Sequence, residues 1–267
     1  MKSTSMKPIM KVALKALPPE YRKAARRTLL RKGASVREYS GDNPAVLQCA
    51  IAYNKYGGYC VPMSTYFAPA EHSILSGEVY EQETIDFIVQ NCRGGDIIHA
   101  GAFFGDFLPA LARACVDGAK VWAFEPNPNS YRCALITTVI NDLGNVTLTN
   151  AGLGAEEGQF PMQVTRGAAN KILESDEVGA DAEHVIQVPI VRIDDVVPSD
   201  RKVTILQLDV EGFEKPALSG ALSTIRRNKP ILILERAPKE GWLDKELLEL
   251  GYKYAGSACH NTIFSTE

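Results

Sequence analysis

Between residues 96 and 128 the chain reads Asp-Ile-Ile-His-Ala-Gly-Ala-Phe-Phe-Gly-Asp-Phe and then, past an alanine-rich stretch, Val-Trp-Ala-Phe-Glu-Pro-Asn-Pro. A short apolar run, a glycine turn, a helix-forming stretch and a second apolar run ending on a carboxylate together make a βαβ unit. Glu125 stands 24 residues after Gly101. That separation lets the tip of the second strand bring an acidic side chain to a ribose seated over the first turn. No other pattern in the chain restricts the fold as strongly, because it requires a parallel sheet covered by helices.

The glycines narrow the ligand. A dinucleotide fingerprint needs a second glycine two residues after the first, where a pyrophosphate approaches the backbone, and that position here is Phe103. The spacing Gly101-x-x-x-Gly105 suits a ligand with a ribose and no phosphate, of which S-adenosylmethionine is the common example. A nicotinamide oxidoreductase is the rival enzyme class. It is disfavoured by Phe103 and by the lack of a convincing Tyr-x-x-x-Lys or comparable hydride-transfer constellation.

Alternation of strand and helix extends the unit. Glu78 to Cys92 has helical apolar spacing, Ile97 to Ala100 precedes a helix over Asp106 to Cys115, and Lys120 to Phe124 precedes one over Pro128 to Asn141. Strands follow at Val146 to Asn150, Phe160 to Val164, Val185 to Val191, Val203 to Leu208 and Ile231 to Leu234, with a helix over Phe213 to Arg226. A helix over Leu243 to Leu250 and strands near Tyr252 to Ala255 and Thr262 to Phe264 close the chain. Upstream, Val46 to Tyr53 and Tyr59 to Met63 flank the turn cluster Asn54-Lys55-Tyr56-Gly57-Gly58, a β-hairpin signature. The polar insert Thr165 to His184 reads as a loop or partial lid over the site.

Residues 1 to 37 carry eleven Lys and Arg against Glu20 alone, a balance of +10, while the other 230 residues balance at −13. Two short helices are expected there, Met10 to Leu17 and Glu20 to Leu30, on either side of Pro18-Pro19. Two readings stand for this basic arm: a leader packed on its own acidic domain, or a surface that meets anionic lipid, nucleic acid or a partner's acidic face. The expected organisation is thus a basic helical arm at 1–40, a hairpin extension on the substrate side at 41–77, and a cofactor-binding domain at 78–267. Apolar residues at 45% and charged residues at 23% indicate a globular chain. No apolar run approaches the roughly 18 residues of a spanning helix, and the early lysines argue against a signal peptide. Six cysteines without a C-x-x-C pair read as reduced core thiols, so a cytoplasmic protein is expected. The four histidines show no metal-ligand spacing.

Leu206-Gln207-Leu208-Asp209-Val210-Glu211-Gly212-Phe213-Glu214 sets three acids just past a buried strand, and Ile231 to Leu234 ends on Glu235. Ligands of an open parallel sheet gather at such strand ends. Helix capping explains Glu211 and Glu214 equally well taken alone, and Glu235 tips the balance toward a polar pocket.

These segments resemble the FkbM-type S-adenosylmethionine-dependent methyltransferases. The resemblance runs over about residues 78 to 236. It is carried by Val79-Tyr80-Glu81, the turn at 99 to 105, Phe124-Glu125-Pro126-Asn127, Asn145-Val146-Thr147-Leu148, Arg192-Ile193-Asp194-Asp195, Asp209-Val210-Glu211-Gly212 with Glu214, and Pro230-Ile231-Leu232-Ile233-Leu234-Glu235. It implies an α/β, Rossmann-like, seven-stranded methyltransferase sheet, mostly parallel with one antiparallel strand and helices on both faces. The implied activity is methylation of a hydroxyl oxygen on a sugar or another small-molecule acceptor. Gly101, Gly105 and Glu125 carry over as cofactor contacts. Ala102, Phe103, Pro126 and Asn127 flank them, and Asn150, Ala151, Gly152 and Leu153 are expected at the adenine edge.

His99 stands where the family commonly has Asp, Phe103 where it has Asn, and Gln207 where it has Lys. A strand-end Asp would hold the cofactor's ammonium; neutral His99 accepts only weakly, which makes Glu81 and Asp209 the candidates to take over. These departures also keep in play a cofactor-binding module without catalysis. Asp209 and Glu211 are the expected base or acceptor-orienting pair, with His260 as their rival. No metal is assigned, although a divalent ion clamped by Asp209 and Glu211 would suit a vicinal diol. The expected partner is a small-molecule acceptor with no specific nucleic acid, and a homo-oligomer is compatible with the sequence.

Overall fold

The alternation Ile97, His99 against Ile98, Ala100 decides which face each residue of the first core strand serves. A computed structural model of the chain describes residues 46–63, 68–164, 170–173, 185–238 and 246–267. Every element described here belongs to the compact unit Leu47–Glu267. The basic arm and its two expected helices, most of the insert at 165–184, and the start of the expected helix at 243–250 lie outside the described residues.

The elements in order are strands β1 (Cys49–Asn54) and β2 (Gly57–Pro62), helices α1 (Pro69–Leu75) and α2 (Gln82–Asn91), then β3 (Asp96–Ala100), α3 (Leu108–Ala114), β4 (Val121–Phe124), α4 (Pro128–Ile140) and β5 (Val146–Thr149). Next come β6 (Gly152–Leu153), β7 (Gly158–Gln163), β8 (Lys171–Ile172), β9 (Val185–Val191), α5 (Ile193–Val196), β10 (Val203–Leu208), α6 (Glu214–Ser219), α7 (Leu222–Asn228) and β11 (Ile231–Leu234). A 3₁₀ turn (Leu248–Leu250), β12 (Lys253–Ala258) and β13 (Asn261–Ser265) complete them.

Seven strands form the central sheet in the order β12-β13-β11-β10-β3-β4-β5. All run parallel except β13, which is antiparallel to both β11 and β12. One apolar layer contains Ile97, Val121, Ile205 and Ile233 with Leu108 and Leu111 of α3 and Ile85 and Ile88 of α2. The opposite layer contains Ile98, Leu206 and Leu232 with Ala217, Leu218 and Ile225 of α6 and α7. Helices therefore cover both faces, as a parallel sheet with fully buried strands requires. From β3 the chain moves outward through β4 and β5 and then returns to β10 on the other side. The order thus reverses between β3 and β10, and a crevice opens beyond their carboxyl ends.

At the opposite end of β3, Asp96 is 2% exposed and accepts from Trp122 Nε1 at 2.7 Å, Lys120 N at 2.9 Å and the Arg201 guanidinium at 2.5 and 2.7 Å. Burial alone would raise its pKa, but these donors outweigh it and hold the carboxyl below its ordinary value.

The hairpin forms as expected, with Asn54 Oδ1 accepting the Tyr56 N–H at 2.9 Å across the turn. It packs on α4: the Cys60 N–H donates to Thr137 Oγ1 at 3.0 Å, and Asn141 brackets Gly58 through its Oδ1 and Nδ2 at 3.0 and 2.6 Å. Thr137 in turn donates to the Phe104 carbonyl at 2.9 Å, which ties the hairpin to the glycine turn.

Two expectations change. Helix α2 begins at Gln82 because Glu81 takes a left-handed backbone, φ 46°, and acts as its N-cap. The helix expected over Phe213 to Arg226 divides into α6 and α7 at Gly220-Ala221. A side chain at Gly220 would overlap the Gly154 carbonyl, and the Asp194 carboxylate caps α7 by accepting from the N–H groups of Ser223 and Thr224 at 2.9 and 2.8 Å. The strands at 152–191 form a four-stranded sheet of their own, β6-β9-β7-β8.

Candidate active site

The turn after β3 is built by close packing. Gly101 has φ 81°, and a Cβ there would collide with the Asp209 carbonyl at the tip of β10. Gly105 has φ 83° and lets Ala134 and Thr137 of α4 approach the turn. Expected to let a ligand near the backbone, these glycines serve first to bring two strand ends and a helix together.

Glu125 at the end of β4 is 6% exposed, and both its oxygens accept backbone N–H groups at 2.8 Å, Oε2 from Phe103 and Oε1 from Asn127. Asn150 Nδ2 donates to the carbonyls of Glu125 and Pro126 at 2.8 and 3.2 Å. The side chain of Asn127 caps α4 through the N–H groups of Asn129 and Ser130. Burial raises the Glu125 pKa to about 8, with the Asn127 and Phe103 N–H groups pulling it down and Asp106 adding to the rise.

A cleft of about 200 Å³ opens here. Of the residues singled out from the sequence, Glu81, His99, Gly101, Phe103, Glu125, Pro126, Ala151, Gly152, Asp209, Glu211 and His260 line it. Ala102, Gly105, Asn127 and Asn150 do not; they lie behind the wall and fix the turn and the Glu125 loop. Additional wall residues are Tyr80, Asp106, Phe107, Gln207, Asn170, Ile172 and the start of α1 at Ala68 to Ala70. Asp106 directly follows Gly105, and sequence reasoning took it only as a helix start. Gln207 was visible only as a departure from a pattern, because its register opposite His99 on β3 is a tertiary fact.

Glu81, Asp106, Glu125, Asp209, Glu211 and Glu235 all face the cleft, and none of its described wall residues is Lys or Arg. Burial raises Asp106 to about 7, with Glu81 adding to the rise and backbone N–H groups opposing it. Asp209 is raised well above its ordinary value by burial and by Glu235, Glu81 and Glu211. Glu211, left-handed at φ 52°, pairs with Arg236 at 2.7 Å; its pKa is raised by burial and Glu235 and lowered by Arg236. Glu214 is 2% exposed, stays outside the wall and accepts the Gly212 N–H at 3.3 Å, so the capping explanation holds for it. Glu81 Oε2 accepts from Thr84 Oγ1 and Asn261 Nδ2, both at 2.9 Å, which anchors it to β13. His260 lies exposed in the turn between β12 and β13 at the rim. Oxygens of Asp209, Glu211 and Glu235 come within 4.8 Å of one another, close enough to hold a cation.

The central strand order and the switch point at β3 and β10, with an acidic crevice beyond them that Glu125 lines, are those of a Rossmann-like methyltransferase fold. Comparison with known families is specific: the Methyltransferase FkbM domain matches residues 99–254. The chain belongs to that methyltransferase family, which implies S-adenosylmethionine as the cofactor. Among solved structures it is similar to methyltransferase FkbM from Methylobacillus flagellatus KT, with 19% identity over 64% of this chain and 43% of that one and a TM-score of 0.46. This chain thus spans less than half of that protein's length. It is also similar to an S-adenosylmethionine-dependent O-methyltransferase from Thermotoga maritima, with 16% identity, 82% and 77% coverage and a TM-score of 0.42. A third is magnesium protoporphyrin IX methyltransferase from Synechocystis PCC 6803, with 18% identity, 76% and 85% coverage and a TM-score of 0.40. No curated protein matches the chain.

The wall fits the cofactor on its own chemistry. A sulfonium with an attached ammonium is cationic and suits a crevice lined by six acidic side chains without a basic one, where a bound cation favours the ionised forms of Asp106, Glu125 and Asp209 that burial disfavours. The same wall repels a pyrophosphate.

Proposed function

We propose that this protein transfers the cofactor's methyl group to a hydroxyl oxygen of a small-molecule acceptor, a sugar or another natural product. The observation that carries this is the cleft wall around Glu125, whose described residues include six acidic side chains and no Lys or Arg. S-adenosylmethionine supplies an electrophilic methyl on a sulfonium; the protein aligns the acceptor and excludes water. Glu125 receives the ribose hydroxyls, since its two backbone N–H bonds at 2.8 Å hold the carboxylate in place and leave lone pairs toward the cleft. Ala151 and Gly152 supply the adenine edge.

A neutral hydroxyl needs a base near its proton. Asp209 is better suited than Glu211 to remove it, because burial and neighbouring acids raise its proton affinity while Arg236 engages Glu211. Glu211 orients the acceptor with Arg236 behind it, and His260 is the rival base at the rim. The reading of the hairpin as the acceptor side is supported by the packing of its Tyr59 and Cys60 with Phe103 and Phe104 of the glycine turn. The six unpaired cysteines support a reducing, cytoplasmic setting. None of the described helices is long and apolar enough to cross a membrane.

The deciding experiment incubates the purified protein with methyl-labelled cofactor and a panel of neutral hydroxyl acceptors. Label transfer to oxygen is expected, with Asp209→Asn and Glu211→Gln lowering turnover far more than cofactor affinity. Transfer to nitrogen or carbon, or full turnover by both variants, overturns the assignment.

A further inference from the structure

Helix α4 is apolar even on its exposed side. Leu135, Val139 and Ile140 are 43%, 70% and 44% exposed, and Arg132 is the one charged residue of the helix. Ile51 and Tyr53 of β1, 50% and 59% exposed, continue that surface. A side chain at Gly58 would meet the Tyr53 ring at 2.8 Å and Ile140 Cδ1 at 3.1 Å, so the strand and helix parts adjoin there. Ile51 stands opposite Cys60, which packs with Cys133 of α4. Taking a fully exposed large side chain at roughly 150–250 Å², these five residues expose on the order of 500 Å². A contiguous apolar patch of that size marks an interaction site.

The adjoining strand edge is open as well. The Met63 N–H donates to the Gln48 carbonyl at 2.9 Å and the hairpin register runs unbroken from there, so Ala50, Ala52 and Asn54 bond to β2. Alternation turns the N–H and C=O groups of Cys49 and Ile51 to the other edge, where no strand pairs with them among the described residues. The outer edge of β2 is already taken by Thr137 and Asn141. An edge strand facing solvent is usually blunted by a charge, a proline or a bulge. β12, at the margin of the central sheet, has Lys253 and a register shift between Tyr254 and Gly256. β1, Cys-Ala-Ile-Ala-Tyr-Asn, has none of these.

We propose that this face is a homodimer interface in which β1 pairs antiparallel with β1 of a second copy across a two-fold axis while the exposed sides of the two α4 helices pack beside the junction. A two-fold axis sets a patch against itself, and this one carries no charge to repel its own copy. Antiparallel pairing lets identical edges exchange N–H and C=O groups. Two such patches with their strand edges bury roughly 1,200 Å², which reaches the lower bound for a specific interface. None of the five residues lines the cleft, so the dimer leaves it open.

The test is sedimentation velocity of the full chain across micromolar concentrations, paired with hydrogen exchange. The wild type is expected at twice 29.2 kDa, with the Cys49 and Ile51 amides protected. Tyr53→Lys and Val139→Lys should each raise the dimer dissociation constant by about thirtyfold or more and release those amides. Val139→Ala keeps the helix and should weaken the dimer in the same direction, whereas Leu248→Lys, 50% exposed outside the patch, should leave it intact. A wild type that stays monomeric at every concentration overturns the proposal, whether the face is then covered by the chain's own residues or by another partner. A dimer whose Cys49 and Ile51 amides exchange freely, or one that Leu248→Lys breaks as readily as Val139→Lys, also overturns it.

Discussion

The backbone N–H of Phe103 donates to Glu125 Oε2 at 2.8 Å, so the turn after β3 and the carboxylate at the end of β4 form one rigid unit. Phe103 sits in a left-handed conformation, φ 45°, that a bulky residue rarely adopts, and this bond aims its N–H at the glutamate. Glu125→Gln replaces one acceptor oxygen with a donor, which leaves an N–H of Phe103 or Asn127 facing another N–H. We expect S-adenosylhomocysteine affinity to fall by about tenfold to a hundredfold by calorimetry, an effect of about 1.4–3 kcal/mol. Unchanged affinity would remove Glu125 from the site.

Gly101→Ala tests the packing explanation for the turn. The new Cβ would collide with the Asp209 carbonyl in a backbone region unfavourable to alanine. A loss of about 3 kcal/mol or more is expected, seen as a drop in Tm of roughly 6–12 °C. A variant as stable as the wild type would contradict the contact.

Arg201→Met probes the far end of the sheet. Asp96 would keep its Trp122 and Lys120 donors but lose the guanidinium that neutralises it, in a position only 2% exposed. Chemical denaturation should show a loss of about 3 kcal/mol at neutral pH. The deficit should shrink in acid, where the unpaired Asp96 takes up a proton.

His99 makes stability depend on acidity. Burial lowers its pKa to about 4 from 6.5, against an opposing contribution from Gln207. A base whose folded pKa is depressed contributes stability above its unfolded pKa and loses it as pH falls toward the folded value, because the unfolded chain takes up the proton first. Between pH 6.5 and 4 the wild type should therefore lose up to about 3 kcal/mol that a His99→Gln variant does not lose. Parallel curves for the two proteins would refute the burial effect.

Chelation distinguishes the two uses of the acidic trio. Arg236 reaches Glu211 at 2.7 Å and Glu235 at 3.7 Å and already places a positive charge beside Asp209, Glu211 and Glu235. Methyl transfer in EDTA should match the untreated enzyme within about twofold, whereas a metal required for the diol would make it collapse.

Local pattern alone specified the strands and most of the helices. Ile231–Leu234 is fully apolar and Val203–Leu208 is apolar except for Thr204 and Gln207, and both became strands at those limits. Glu125, Asp209 and Glu211 were identifiable because an acid at the end of a buried strand has few other places to go. The broken helix at Gly220-Ala221, the wall position of Asp106 and the pairing of His99 with Gln207 were not identifiable, since each depends on segments far apart in the chain meeting in space. Hydrophobic periodicity and turn chemistry act over a few residues and so are written in the order of amino acids. Burial and carboxylate repulsion arise only when β3, β4, β10 and β11 are brought side by side, and that assembly gave the cleft its charge.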